Sequence, residues 1–315
     1  MKLVMLDSAT MGADLDFSVF NVYGEVVNYP STQPCDVAAR LADADIVLVN
    51  KIQLGKAQLQ SATSLKLICV FATGYDNIDV SYCAANGIAV CNVRGYSTHS
   101  VAQLTVAMVL QLIQKMPAYT RYVTSGAYTE SGVANCLSPV FCELYGKTWG
   151  VVGLGNIGRE VAGIAAAFGC RVIACKRTPD PSYPCVDIET LCREADIITL
   201  HTPLNAQTRG LISSERIAHM KPNAVLVNVS RGAVTDESAL AQALVQNRIG
   251  GLGVDVYSTE PFGTDHPFYP LMGDDRLCLT PHMAWGAYEA RVRCLNETAQ
   301  NIDAFLRGER RSRVD

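Results

Sequence analysis

Short runs of consecutive apolar residues alternate with longer stretches of helical periodicity along almost the whole chain. In the first hundred residues "KLVML" (2–6), "DIVLV" (45–49) and "LKLICVF" (65–71) read as strands. The segment His99 to Pro117, "HSVAQLTVAMVLQLIQKMP", has apolar residues at 101, 104, 108, 112 and 116, among others. That spacing predicts a helix buried between layers, ended or kinked at Pro117. The stretch that follows, 118–146, is weakly periodic and rich in Tyr, Ser and Gly. A structureless loop of such length is uncommon inside a compact domain, so the segment is expected to pack on something, such as a second subunit.

From Thr148 the alternation becomes regular. "WGVVG" (149–153) precedes a helical stretch from Asn156 to Phe168; "RVIAC", "DIITL", "AVLVNV", "LGVDV" and "RLCLT" follow, most with helical stretches between them. Repeated strand–helix–strand units predict an α/β fold with a doubly wound parallel sheet. Gly286–Leu306 reads as helix again, and no internal repeat points to a solenoid.

At 315 residues the chain has room for two domains of roughly 100–200 residues each. With 49% hydrophobic and 18% charged residues it can fill packed cores, and a net charge of −4 argues against a nucleic-acid partner. The apolar stretch in "MKLVMLDSAT" is broken by Asp7, too short for a signal peptide, and no run approaches the ~20 residues of a bilayer span. A soluble, cytoplasmic protein with no membrane partner is expected. None of the twelve cysteines is spaced C-x-x-C, and Cys69, Cys91 and Cys175 lie in strand-like runs. Reduced, mostly buried thiols and no metal site are therefore expected. The charged tail "RGERRSRVD" (307–315) is read as a solvated end.

In "WGVVGLGNIGRE", Gly153, Gly155 and Gly158 stand in G-x-G-x-x-G spacing directly after a strand and at the opening of a helix. There the first glycine permits a tight turn, the second lets a pyrophosphate approach the backbone, and the third lets helix and strand pack closely. The N–H groups of Asn156 and Ile157 at the helix start are suited to phosphate oxygens. In such units the next strand usually ends in an acid that binds the adenosine ribose. Here "ACKRTP" (174–179) places Lys176 and Arg177 there, 18 positions beyond Gly158 for Lys176, followed by a turn-forming proline. A guanidinium grips a phosphate through paired hydrogen bonds, so Lys176, Arg177 and the Thr178 hydroxyl suit the 2′-phosphate of NADP. A solvated pair beside bound NAD is the alternative.

Three later segments each put polar residues at a strand end: "AVLVNVSRGAV" delivers Arg231, "LGVDVYSTEP" delivers Asp255 and Glu260, and "LTPHMAWGA" delivers His282. Strand C-termini line the ligand crevice of an open parallel sheet, so Arg231, Glu260 and His282 are expected to converge. Together they suit reduction of a 2-keto acid. Arg231 would hold the carboxylate, His282 would protonate the carbonyl oxygen as hydride arrives at carbon, and Glu260 would orient the imidazole and favour its charged form.

The chain resembles the D-isomer-specific 2-hydroxyacid dehydrogenase family over nearly its whole length. The likeness rests on "FATGYDNID" (71–79), "GYSTHSVAQ" (95–103), "GLGNIGRE" (153–160), "NVSRGAVTDESAL" (228–240), "DVYSTEP" (255–261) and "TPHMAW" (280–285), the last two similar to its glycerate dehydrogenase and hydroxypyruvate reductase branch. The resemblance implies that Arg231, Glu260 and His282 are the catalytic trio and that Asp255 is the nicotinamide-side acid. It further implies cofactor contacts from Thr105, Thr202, Pro203, Thr208, Val229 and Ser230. Backbone amides of Thr73, Gly74 and Tyr75 would bind the substrate carboxylate. Trp285 is read either as a wall of the substrate cleft or as a plain packing residue. Two Rossmann-like domains are implied: a flavodoxin-like substrate domain from 1–98 and 286–315, and a dinucleotide-binding domain from 99–285. A hinge would close the cleft between them, and 117–146 would wrap a second subunit to make a homodimer.

The sequence departs from the family pattern at Arg94, His99 and Leu104, which bears on substrate identity more than on reaction type. Glyoxylate and hydroxypyruvate are the first substrates expected. Phosphoglycerate or D-lactate dehydrogenase is the alternative within the enzyme class, and a dinucleotide-sensing corepressor-like binding protein the alternative outside it. Neither the appended regulatory domain of some phosphoglycerate enzymes nor a corepressor's long flexible extensions are visible in this sequence.

Overall fold

The computed structural model describes residues 1–178 and 180–315, and Pro179 of the Lys-Arg stretch lies outside the described residues. The chain divides into two compact units, Met1–Ser97 with Trp285–Asp315, and Thr98–Ala284. The first unit is built on five parallel strands: β1 (Lys2–Met5), β2 (Glu25–Asn28), β3 (Ile46–Val49), β4 (Leu67–Val70) and β5 (Ala89–Cys91), in the order β2-β1-β3-β4-β5. Successive side chains leave opposite faces of a strand, and both faces here are covered. Leu3, Met5, Ile46, Leu48, Leu67 and Cys69 pack with Phe20, Phe71 and the inner side of the long helix Tyr288–Leu306. Val4, Val47, Val49, Ile68 and Val70 pack instead with α1 (Val37–Leu41), α2 (Lys56–Leu59) and α3 (Val80–Ala85). This is why β3 and β4 read as continuous apolar runs.

The second unit begins with α4 (Thr98–Ile113), α5 (Met116–Thr124) and α6 (Ala127–Ser131). The expectation that the long helix is ended or kinked at Pro117 is corrected in its position. Helix α4 stops at Ile113, Lys115 turns left-handed (φ 54°), and Pro117 lies in the first turn of α5. A residue in that turn has no intrahelical N–H bond to lose. The arm thus starts as two short helices, and α5 buries none of its residues. Six parallel strands follow: β6 (Thr148–Val152), β7 (Arg171–Cys175), β8 (Ile197–Leu200), β9 (Val225–Asn228), β10 (Gly251–Val254) and β11 (Leu277–Leu279), ordered β11-β10-β9-β8-β6-β7. Helix α4 packs on α7 (Asn156–Ala167) and on β9 and β10. Helices α8 (Ile188–Glu194), α9 (Ser214–Ala218) and α10 (Glu237–Val245) cover a core that includes Ile198, Leu226 and Leu252. The strand order reverses between β6 and β8, the place where open sheets of this kind bind ligands. Seven of the twelve cysteines are buried.

The charged tail is a solvated end only in its first part: Arg307–Arg310 are exposed, whereas the last residues pack on β5. Arg313 forms an antiparallel bridge with Cys91, the Val314 N–H donates to the Val90 carbonyl at 2.9 Å, and the Asn92 N–H to Ser312 at 3.2 Å. The Asp315 carboxylate accepts from the Val90 N–H at 2.9 Å and pairs with Arg313. Strand β5 is a sheet edge with unpaired backbone groups, and the tail satisfies them. The Arg313 guanidinium holds the Asp315 carboxyl down to about 2. Because this is below its ordinary 3.8, the pairing adds stability above that pH and loses it as pH falls through about 2. Asp315→Asn is therefore expected to speed hydrogen exchange at the Val314 and Asn92 amides by about tenfold at neutral pH, allowing for solvent screening. Unchanged protection at both amides would count against the clasp.

Candidate active site

The three turn glycines differ in their surroundings. Gly153 has φ 92°, and a Cβ there would lie 2.7 Å from the His201 carbonyl oxygen at the end of β8. A Cβ on Gly158 would lie 2.0 Å from the Gly153 carbonyl oxygen. Gly155, the residue before α7, faces open space, so only there does the missing side chain leave room for something else. Beside this turn, the His201 imidazole has both ring nitrogens buried with no hydrogen-bond partner among the described residues. Burial pushes its pKa down to about 3, so the ring is neutral at pH 7. Open room at Gly155, the N-terminus of α7 and an unmatched buried imidazole fit a polar phosphate-bearing ligand.

At the end of β7 the Lys-Arg pair is split. Lys176 Nζ lies 3.4 Å from Asp180 Oδ2, which also pairs with Arg159. The Arg159 guanidinium, followed by the Ser182 N–H bond, holds the Asp180 carboxyl well below the usual carboxylate range. Lys176 and Arg177 do stand at the strand end, and the nearby acid, Asp180, is turned onto two cations. Arg177 and Thr178 are exposed.

The strands β9, β10 and β11 are neighbours, so the loops at their C-termini meet. After β9, Asn228 staples a turn: its Nδ2 donates to the Arg231 carbonyl at 2.9 Å, and its Oδ1 accepts from the Ser230 N–H and hydroxyl at 3.0 and 2.9 Å. A Cβ on Gly232 would lie 2.2 Å from the Ser258 nitrogen, so the Arg231 turn abuts the loop that carries Glu260. Glu260 Oε2 lies 2.6 Å from His282 Nδ1, and Glu260 Oε1 accepts the Tyr257 N–H at 2.9 Å. The imidazole is about one quarter exposed. With Nδ1 engaged, Nε2 is the nitrogen available to a reacting group.

His282 has a left-handed backbone, φ 52°, which costs a residue with a Cβ about 1–2 kcal/mol. Asp255, fully buried, holds that turn. Its Oδ1 accepts from the Thr280 hydroxyl (2.6 Å) and the Met283 N–H (2.8 Å), and its Oδ2 from the Ala284 N–H (2.9 Å). Burial pushes its carboxyl upward, and these bonds pull against the shift.

The sequence signature described as "D-isomer specific 2-hydroxyacid dehydrogenase, NAD binding domain" matches residues 106–284. The chain belongs to this family. It is a D-2-hydroxyacid dehydrogenase, an oxidoreductase with an NAD(P)-binding domain. It is 34% identical over 318 residues to a hydroxypyruvate reductase of Blautia hydrogenotrophica, covering 98% of both chains. It is also 34% identical to a glycerate dehydrogenase of Methylorubrum extorquens, covering 100% of this chain and 99% of that one. Among solved structures, an acyclic imino acid reductase in complex with NADPH and D-Arg superposes with a TM-score of 0.88 at 32% identity, covering all of both chains.

The dehydrogenase places its other candidate residues unevenly. Thr202 and Pro203 follow β8, and the Thr208 hydroxyl closes their loop on the Pro203 carbonyl at 2.6 Å. Val229 and Ser230 are nearly buried in the Arg231 turn. Thr105 is a correction: it is wholly buried in α4 and its hydroxyl donates to the Val101 carbonyl, so its side chain faces no ligand. In the first unit, the exposed turn of Thr73, Gly74 and Tyr75 is pinned by the Thr73 hydroxyl on Val93 (2.7 Å) and by Asn92 on the Thr73 carbonyl (2.7 Å). Lys51 Nζ lies 5.9 Å from the centroid of Trp285, whose buried Nε1 has no partner among the described residues. Arg94 is exposed, Leu104 is half-buried, and His99 Nδ1 lies 3.1 Å from Glu160 in an exposed pair of little energetic weight.

Asn228 and His201 were not singled out from the sequence. Asn228 ends an apolar strand one residue before "VSR", and a buried amide there signals a turn to be stapled. His201 follows "DIITL" directly, so it stands at the strand end where the sheet order reverses.

Proposed function

We propose that the protein reduces small 2-keto acids to D-2-hydroxy acids, with glyoxylate and hydroxypyruvate as first substrates and NADPH as the preferred reductant. The contact between Glu260 and His282 Nδ1 carries this reading, because it leaves Nε2 positioned as proton donor while a carboxylate stabilises the imidazolium. Two relatives matched over nearly their full length bear the names hydroxypyruvate reductase and glycerate dehydrogenase, which supports this substrate class.

The reduced nicotinamide supplies the hydride. Arg231 grips the substrate carboxylate through its fork of donors and draws charge toward the adjacent carbonyl oxygen, a contribution on the order of 3 kcal/mol. His282 gives its Nε2 proton to that oxygen, and in the reverse direction takes it back. Asp255 is fully buried, with both oxygens engaged internally, so it acts by holding the His282 turn and not by touching the nicotinamide. The N–H groups at Asn156 and Ile157 bind the phosphates in the room left by Gly155, and Thr202, Pro203, Val229 and Ser230 border the dinucleotide. Arg177 and Thr178 bind the 2′-phosphate, whereas Lys176, tied to Asp180, contributes charge rather than a direct contact. The Thr73–Tyr75 turn and Trp285 serve substrate binding.

The arm supports a homodimer. Leu137 and Val140 are 68% and 79% exposed, and Val123, Val133 and Phe141 add to the uncovered apolar surface. Sedimentation equilibrium is expected to report twice the 34.0 kDa of one chain, and a monomer at micromolar concentration would refute the arm's role. His282→Ala is expected to lower kcat by about 10²–10⁴ while leaving NADPH affinity nearly intact. Turnover like that of the unaltered protein would remove it as the acid. Arg177→Ala is expected to lower kcat/KM by about tenfold or more with NADPH and little with NADH. An equal loss with both cofactors would count against the phosphate contact.

A further inference from the structure

The loop that carries Glu260 is held from behind by a second carboxylate–imidazole pair. Glu237 opens α10, and its Oε2 lies 3.3 Å from His266 Nε2; the two side chains are only 10% and 8% exposed. The other oxygen, Oε1, accepts the Ser258 N–H at 3.0 Å. His266 Nδ1 accepts the Phe268 N–H at 3.3 Å, so that nitrogen carries no proton and Nε2 donates to Glu237. Aromatic rings enclose the imidazole, with centroids of Tyr257, Phe262 and Phe268 at 5.9, 4.6 and 5.0 Å. Tyr257 then joins this group to the reacting pair. Its N–H donates to Glu260 Oε1, and its phenol donates to the Thr280 carbonyl at 2.9 Å, two residues before His282.

We propose that Glu237 and His266 are positioning residues for proton transfer, fixing the backbone at Tyr257 and Ser258 so that Glu260 meets His282 Nδ1. The proposal rests on the reading of His282 as the acid. It requires a carboxylate at position 237 for a definite reason. Both groups that face Glu237, the Ser258 N–H and the His266 Nε2–H, are donors, so the side chain between them must present an acceptor to each. Glutamine has the same shape but one acceptor and one amide NH2, which would meet one of the two donors head-on. The imidazole cannot relieve this by moving its proton to Nδ1, because the Phe268 N–H already points there. Both side chains are nearly buried, and their effect passes through Glu260.

The test compares the unaltered protein, Glu237→Gln, His266→Phe and His282→Ala with glyoxylate or hydroxypyruvate, using NADPH and NADPH deuterated at the transferring position. His266→Phe keeps the aromatic volume while removing both nitrogens. Glu237→Gln is expected to lower kcat by about tenfold to a hundredfold, with KM and NADPH affinity changed by less than about twofold, because a small misplacement of the reacting groups acts on the chemical step. His266→Phe is expected to act in the same direction, and the deuterium isotope effect on kcat is expected to rise in both. A lower fraction of folded enzyme would reduce kcat without moving the isotope effect. Turnover by Glu237→Gln within about twofold of the unaltered protein, or a loss of kcat with an unmoved isotope effect, would overturn the positioning role. Full turnover by His282→Ala would overturn the acid assignment instead, and the positioning proposal with it.

Discussion

A fully buried carboxylate holding a strained turn is the constraint on which the rest of the site depends. His282 occupies a backbone conformation that a residue with a Cβ adopts at a cost, and Asp255 offsets that cost with three hydrogen bonds to the residues around it. Burying a carboxylate is itself unfavourable, which is why its oxygens are so thoroughly engaged. Rigidity at His282 is therefore bought locally, at the end of β11, and not by the helices that cover the sheet. The same economy recurs after β9, where Asn228 uses both ends of one amide to shape the turn that presents Arg231.

The dinucleotide side works by shape as much as by charge. Two of the three turn glycines are dictated by neighbouring backbone, and only Gly155 opens onto free space. Charge is distributed with similar care. Asp180 neutralises part of the positive cluster at the end of β7 by pairing with Arg159 and Lys176, while Arg177 stands exposed. A phosphate arriving there would meet a site whose surplus charge is modest and localised, which favours discrimination by geometry over simple attraction.

Strands β3, β4, β6, β8 and β9 were legible because short continuous apolar runs mark them, and all five lie where those runs stand. Strands β2 and β5 were not. The first is a half-exposed edge, "EVVN", and the second has three residues, so neither leaves a pattern long enough to read. Pro117 misled because the residue that stops a helix also starts one. The tail misled because its charges satisfy one another on a sheet edge, and a linear sequence does not display which edge is open. The meeting of Glu260 with His282 was legible from strand-end placement, but its support was not. Asp255 as a brace, Asn228 as a staple and Glu237 with His266 behind the loop all depend on hydrogen bonds between segments far apart in sequence.

The first unit draws its strands from the start of the chain and one wall of its core from the end. Ala290, Cys294, Leu295 and Ile302 cover the same sheet face as Leu3 and Ile46, and the last residues seal its edge. During synthesis at roughly 5–20 residues per second, the intervening unit emerges whole before that wall exists. The amino-terminal sheet must then wait with one greasy face uncovered, so nascent chains stalled beyond Ala284 but short of Leu306 are the species that would need a chaperone's shelter.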